Sequence, residues 1–235
     1  KSLANVVRDY PVFDIQRLCG TQPPRTVFDV GANVGQTAHQ FHDAFPAARI
    51  FSFEPAPSTF DQLRANTAAL PRVTCVDAAL GAEAGHATLH LADVSIRNSL
   101  RQPAALTSES IRVCVRTLDE FCGQVGVDRI DLLKVDVEGF EWEVLRGGTA
   151  LLDAGRVRFL FLEANFAPVP EVPQSDFAVL LEHLRPYGFC VAGIYGEAFW
   201  LRTGSLACNV LFAHRPSLPA TVAGRVQNIT AAVHA

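Results

Sequence analysis

The sequence predicts an α/β fold: a mostly parallel sheet with helices on both faces and one inserted antiparallel strand pair. Three observations predict it. Short apolar runs alternate with amphipathic helical stretches along the chain, the pattern of crossover units around a parallel sheet. The first run, Val27-Phe28-Asp29-Val30, passes into a turn with two glycines, Gly31 and Gly35, and then into helical spacing at Ala38, Phe41, His42 and Phe45. Strand, glycine turn and helix together form the start of a nucleotide-type site. Finally, successive apolar runs close on acids at Asp29, Glu54, Asp77, Asp136 and Glu163. A parallel sheet gathers such ends along one edge, and open α/β sheets bind ligands outside the carboxyl ends of their strands.

Residues 1–24 read as a helical lead-in that Pro23-Pro24 closes. The first strand and glycine turn follow, with a helix to about Phe45 stopped by Pro46. Ile50 to Phe53 is the second strand, and Pro57-Ser58 starts a helix with Ser58 as N-cap. Val73 to Val76 is the third strand. The rhythm then changes. His86 to Leu91 and Ile111 to Val115 alternate apolar and polar residues, as half-exposed strands do. They read as an antiparallel pair inserted between crossover units, joined by a polar loop from Asp93 to Ser110 that lies over the site. Thr117 and Glu120 form a capping box for a short helix. Ile130 to Val135 is a buried strand, Glu138 to Arg146 a helix ended by Gly147-Gly148, and Val157 to Leu162 another buried strand. A proline-rich stretch follows Asn165, Ser175 caps the next helix, and Gly188 to Ile194 pairs with Leu206 to Phe212 as a hairpin at the sheet edge. No linker or repeat divides the chain, so one domain of 1–235 is expected, with a core of 25–213 and a tail of 214–235.

Composition narrows the class. Hydrophobic residues make up 49% and charged residues 19% of 235, a globular rather than a disordered balance. No apolar run is long enough to span a bilayer, and no secretion signal opens the chain. The net charge of -4 argues against nucleic acid as the main partner. The six cysteines are scattered without a CxxC pair, which reads as buried free thiols in a reducing compartment and hence a cytoplasmic protein.

The glycine turn is G-A-N-V-G, without the middle glycine of the dinucleotide fingerprint. Acids crowd where a pyrophosphate would sit, so a cationic ligand without phosphates fits better. S-adenosylmethionine has that chemistry: ammonium, sulfonium, ribose and adenine. Gly31 and Asn33 are placed at its amino-acid end, Gly35 lets the backbone come close, and Asp29 faces a ligand donor. Glu54 accepts from both ribose hydroxyls, Asp77 accepts from the adenine amino group and Ala78 supplies backbone.

These residues carry a resemblance. D-V-G-A-N-V-G-Q at 29–36, F-E-P at 53–55, T-L-D-E at 117–120, L-L-K-V-D-V-E-G-F-E at 132–141 and V-L-R-G-G at 144–148 together resemble the FkbM family of class I methyltransferases. The resemblance covers about Thr26 to Glu163. It implies a Rossmann-like seven-stranded sheet whose last strand is antiparallel. It also implies O-methylation, with S-adenosylmethionine as donor, of hydroxyls on sugars or other secondary metabolites. The lead-in and the part after about Pro168 match less well, and those regions shape the acceptor pocket.

Asp136, Glu138 and Glu163 are the candidate catalytic residues. Asp136, also at the cofactor, either takes the acceptor's proton or orients the acceptor; a purely structural role would be capping the helix near Glu138. Glu138 either reaches the acceptor or favours the helix N-terminus. Glu163 and Asn165 with Asp136 offer two acids and an amide to a divalent cation, yet such sets also serve ordinary hydrogen bonding, and no metal ligand is assigned. Lys134 reads as structural, pairing with a neighbouring carboxylate. His39 and His42 read as helix-face residues, His86 and His90 as solvent-facing, Trp142 and Trp200 as core or pocket wall. Arg97-Asn98-Ser99 either closes over the ligands or is solvated loop. The expected partner is a small-molecule hydroxyl acceptor, with no nucleic acid and no membrane. The alternatives are a methyltransferase of protein or RNA, or a non-catalytic module that keeps the cofactor pocket.

Overall fold

A computed structural model describes residues 11–91, 99–100, 109–166, 175–200 and 205–218, without the side chains of 197–200 and 205. The start of the lead-in, most of the Asp93 to Ser110 loop with Arg97 and Asn98, the proline-rich stretch, the Trp200 side chain and the tail after Leu218 lie outside the described residues. The elements run α1 (Val12–Cys19), β1 (Thr26–Val30), α2 (Gln36–Ala44), β2 (Arg49–Phe53), α3 (Pro57–Thr67), β3 (Val73–Val76), β4 (Ala79–Leu80), β5 (Gly85–Leu91) and β6 (Glu109–Arg116). Then follow α4 (Leu118–Val125), β7 (Ile130–Val135), α5 (Glu141–Arg146), α6 (Thr149–Asp153), β8 (Val157–Asn165), α7 (Phe177–Leu184), β9 (Phe189–Trp200) and β10 (Ser205–His214).

Seven strands form the main sheet in the order β3-β2-β1-β7-β8-β10-β9. β3, β2, β1, β7 and β8 are parallel, while β10 runs antiparallel to both β8 and β9. The order reverses at β1, and β1 and β7 lie side by side there, so the acid-tipped ends of five strands fall on one edge. Apolar residues alternate between the two faces of these strands. Phe28, Val30, Leu133, Val135, Leu160 and Leu162 pack one face with Phe121, Val144 and Leu180. Val27, Ile50, Leu132, Phe159 and Phe161 pack the other with Ile15 and Phe41. Helices therefore cover both faces, as such a sheet requires.

The inserted pair exists, β5 against β6 in antiparallel register. It is larger than expected, because β4 adds a parallel third strand beside β6. Leu89, Val113 and Val115 face inward against Ala56 and Ala79, and this small sheet forms an apolar wall beside the main sheet's edge.

Several local expectations are corrected. The cap of α3 is Ala56, not Ser58: Pro57 occupies the first helical position, which suits a residue with no N–H. The cap of α7 is Asp176, whose carboxylate accepts from the N–H groups of Ala178 and Val179. Ser175 is committed elsewhere. The helix expected from Glu138 begins at Glu141, since Glu138 and Gly139 have φ of 55° and 91°. The Gly147-Gly148 pair separates α5 from α6, a helix the sequence reading missed. A Cβ on Gly147 would collide with the Gly81 carbonyl, so glycine there lets the small sheet and the helices approach. Thr117 does cap α4, accepting from Glu120 N–H at 3.2 Å. None of the six cysteines is in a disulfide; Cys75 is half-buried and Cys114 is exposed on β6 rather than buried. Among the described residues no helix is long and apolar enough to cross a membrane.

Candidate active site

The ends of β1, β2 and β7 are bound together by backbone. Gly31 N–H and Ala32 N–H both donate to the Phe53 carbonyl, at 3.1 and 2.9 Å, and Asp136 N–H donates to the Val30 carbonyl at 3.1 Å. The chain must turn sharply here. Gly31 has φ +74°, and a Cβ on it would overlap the Asp136 carbonyl oxygen. Asn33 follows with φ 49°, a left-handed conformation that asparagine tolerates better than most residues. Its N–H donates to Glu54 Oε2 at 3.1 Å, and Ala56 N–H donates to Glu54 Oε1 at 3.0 Å. Glu54 is therefore a clamp as well as a candidate ligand. Each oxygen keeps a lone pair after these bonds, and the residue lines the cavity described next. Burial raises its pKa, partly offset by the two backbone donors.

A cavity of about 310 Å³ opens at this edge. Its polar wall includes Gly31, Asn33, Glu54, Lys134, Asp136 and Glu138, and its apolar wall includes Leu80, Leu89, Leu100 and Phe140. The inserted sheet thus supplies the greasy side. Ser99 ties the crossing between β5 and β6 to the site, its hydroxyl donating to the Glu138 carbonyl at 2.8 Å.

Of the residues singled out from sequence, Gly31, Asn33, Glu54, Ala78, Asp136 and Glu138 line this cavity. Asp29, Gly35, Asp77 and Glu163 do not. Asp29 is fully buried, with Lys134 Nζ at 3.2 Å from Oδ1. β1 and β7 place the two residues in register, so the carboxylate has an internal partner rather than a ligand. Lys134 also donates to the Gly31 carbonyl at 2.8 Å and lies 3.6 Å from Asp136 Oδ2. It pins the glycine turn to the acid at the next strand. Gly35, with φ +98°, sits against Leu63 and Thr67 at the start of α2. Asp77 is exposed, while the chain turns back at Ala78, whose N–H bonds to the Val76 carbonyl. His39 bonds through Nε2 to the Asn66 carbonyl at 3.0 Å, away from the carboxylates. Trp142 packs on the His183 ring.

Glu163, at the end of β8, is half-buried and does not line the cavity. Its carboxylate offers an oxygen within 4.8 Å of one on Asp136 and one on Glu138. Burial, reinforced by the charges of Asp136, Glu138 and Glu141, pushes its pKa well above the ordinary carboxylate value. Such a group of three can share a proton or hold a divalent cation.

Sequence reasoning missed Glu141. It is completely buried, and its Oε1 accepts from Val137 N–H at 3.0 Å and Gly139 N–H at 3.3 Å. Its Oε2 accepts from the Ser175 hydroxyl, and the Ser175 carbonyl accepts from Asn165 N–H at 2.7 Å. Glu141 therefore does the capping once considered for Asp136. It holds the turn so that Asp136 and Glu138 are left to the cavity, and it ties that turn to the end of β8. A signal existed in the acid two residues after the glycine of D-V-E-G-F-E, but an acid in a first helical turn usually reads as dipole compensation.

The chain matches the family described as Methyltransferase FkbM domain over residues 29–191. It is similar to the 2-O-methyltransferase NoeI of Sinorhizobium fredii, with 31% identity over 157 residues, 60% of this chain. The chain spans 64% of NoeI's length in that match. It is also similar to the 31-O-demethyl-FK506 methyltransferase FkbM of Streptomyces tacrolimicus, 32% identical over 202 residues, covering 72% of this chain and 74% of that one. The hexuronic acid methyltransferase AglP of Haloferax volcanii is 30% identical over 146 residues, 62% of this chain and 58% of AglP. Among solved structures, the METTL16 MTase domain superposes with a TM-score of 0.50 at 12% identity, over 86% of this chain and 66% of that one, and shows a shared fold.

Proposed function

The chain belongs to the FkbM methyltransferase family, and from that premise we propose that it is an O-methyltransferase. It would move the methyl group of S-adenosylmethionine to a hydroxyl of a small molecule, a sugar or secondary metabolite. The relatives named for 2-O-methylation, FK506 and hexuronic acid support that acceptor class. The observation that carries the reading is the cavity in which the Gly31–Asn33 turn is clamped by Glu54 and faces Asp136 and Glu138.

The residues fit the donor molecule. The lining carries carboxylates and only one ammonium among the described residues, Lys134, itself held by Asp29. Glu54 retains acceptor lone pairs for paired hydroxyls. Gly31 and Asn33 lie beside it for the amino-acid end, and Ala78 lines the wall with Leu80 and Leu89 for an adenine. When bound, S-adenosylmethionine supplies a sulfonium-linked methyl that is already a good electrophile. Alignment then provides much of the rate. The chain's own chemistry is at the acceptor: as the methyl carbon exchanges its bond to sulfur for one to the acceptor oxygen, the hydroxyl proton would pass to the carboxylate group of Asp136, Glu138 and Glu163. Burial and mutual repulsion make Glu163 a stronger base than an ordinary carboxylate. Asp136 and Glu138, in the wall, touch the acceptor and hand the proton on.

Calorimetry tests the first half: S-adenosylmethionine should bind stoichiometrically, and a preference for NAD would overturn the reading. Turnover of sugar and polyketide hydroxyls by wild type and Asp136→Asn tests the second. Undiminished turnover by the variant would remove Asp136 from the proton path.

A further inference from the structure

We propose that the opposite edge of the main sheet carries a second ligand site, one that takes a phosphate-like oxyanion between Arg25, Arg129 and Arg158. A cavity of about 290 Å³ lies there, lined by these arginines with Thr21, Gln22, Pro23 and Asp131. Topology gathers the arginines. Arg25 and Arg129 immediately precede β1 and β7, and Arg158 is the second residue of β8. These three strands are neighbours in the sheet, so their amino ends deliver three guanidinium groups to one place.

The charges there do not balance. Asp131 is the one carboxylate in the lining, and it is occupied. Its Oδ2 accepts from the N–H groups of Arg25 and Thr26 at 2.8 and 3.1 Å, and its Oδ1 lies 3.4 Å from Arg129 Nε. Arg158 is 3% exposed. Its terminal nitrogens donate to the carbonyls of Gln22 at 2.6 Å and Cys19 at 3.2 Å, and its Cζ stands 5.2 Å from the Phe159 ring centre. Among the described residues no carboxylate lies within ion-pair distance of it, and its Nε has no acceptor. A buried guanidinium without a counter-charge is costly. An anion in the adjoining cavity supplies the missing charge.

The geometry also selects the ligand. Arg25 and Arg129 are exposed at the rim, so their forked donors can close on an entering group, and guanidinium forks match phosphate oxygens. The Thr21 hydroxyl and Gln22 amide add neutral donors. The cavity is too small for a polymer, and a chain of net charge -4 does not attract nucleic acid generally. The site stands apart from the candidate active site, at the other end of the same strands, and does not depend on the methyltransferase reading.

The test uses the full chain with inorganic phosphate and, separately, glycerol 3-phosphate, each against sodium chloride at matched ionic strength. Titration calorimetry and thermal melting are read for wild type, Arg25→Ala and Arg129→Ala. Saturable binding to wild type, weakened about tenfold or more in either variant, supports the site. Tighter binding of glycerol 3-phosphate than of inorganic phosphate assigns it to the phosphate group of a larger molecule, and the reverse order to free phosphate. Both variants remove rim side chains, and their melting in chloride alone checks that they fold. A phosphate response equal to that of chloride, or one unchanged in both variants, overturns the proposal.

Discussion

Replacing Gly31 by alanine tests whether the turn is shaped by close approach or merely by backbone preference. Position 31 has φ +74°, and an added Cβ would overlap the Asp136 carbonyl oxygen, with its carbonyl carbon at 3.0 Å and Val137 Cγ1 at 3.3 Å. Gly126 is the matched control: φ is +65° at the end of α4, and nothing lies within 4 Å of its added Cβ. The left-handed backbone alone costs an L-residue about 1–2 kcal/mol. Overlap at position 31 adds about 1–3 kcal/mol of overpacking. A domain of this size loses about 2–4 °C of Tm per kcal/mol. Gly126→Ala should therefore melt roughly 2–8 °C low, and Gly31→Ala roughly 4–20 °C low. The strain at position 31 can relax only by moving the turn away from the end of β7. If the overpacking energy is taken from cofactor binding, the Kd for S-adenosylmethionine rises roughly 5- to 150-fold. Gly126→Ala should keep the wild-type Kd. Melting curves and titration calorimetry on both variants read the two effects. A Gly31→Ala Kd within twofold of the control would refute the argument that close approach at Gly31 builds the site.

Glu163→Gln should lower kcat while stabilising the fold at neutral pH. A folded-state pKa raised above the unfolded value means that the charged form costs stability as pH rises through the folded value. The Tm gain of the variant should therefore be present at pH 8 and vanish below the ordinary carboxylate range, as melting across pH will read. For the same reason the acid limb of the wild-type pH–rate profile should fall at a pH above that of an ordinary carboxylate, and a limb at the ordinary value would exclude Glu163 as the base. Glu141→Gln should keep most activity, because its amide oxygen still accepts from Val137 and Gly139 and its NH₂ meets the Ser175 hydroxyl. Glu141→Ala leaves those backbone donors unpaired at about 1–3 kcal/mol each, and urea denaturation together with kcat separates the two variants. With the carboxylates acting as base, turnover should survive dialysis against a chelator; loss of activity and its return with magnesium would make them metal ligands instead.

The buried strands were legible because their apolar runs are short, bounded and rich in branched or aromatic residues. β7 was placed to the residue, and β1 differs only in its first. The inserted pair was legible from alternation alone. What failed was local competition between neighbouring residues. Ser58 is a good cap in isolation, but Pro57 takes the first helical position and moves the boundary back to Ala56. Ser175 is as good a cap as Asp176, until its hydroxyl is drawn to a buried carboxylate on another helix. The site divides in the same way. Glu54 and Asp136 follow from strand ends and sheet order. The partner of Asp29 does not, because Lys134 is 105 residues away in sequence and becomes a neighbour only through the β1–β7 register. An acid on one apolar strand and a lysine on another was the available signal. Glu141 needed the fold outright, since burial separates a turn-holding carboxylate from a surface one.

Lys134 shows how so many acids can share one sheet edge. Its ammonium lies against Asp29, Asp136 and the Gly31 carbonyl together, so its one positive charge is shared with the buried acid, while the cavity wall carries three carboxylates, Glu54, Asp136 and Glu138. Burial and the charges of Asp136, Glu138 and Glu141 together raise the pKa of Glu163 well above the ordinary carboxylate value. An acidic wall of this kind attracts a cationic ligand more than a neutral one of the same shape. On the proposed function the same wall distinguishes the charged methyl donor from the uncharged thioether left after transfer, favouring binding of the first and release of the second. The repulsion that makes these residues costly to the fold is thus the property that suits them both to accept a proton and to exchange the spent cofactor.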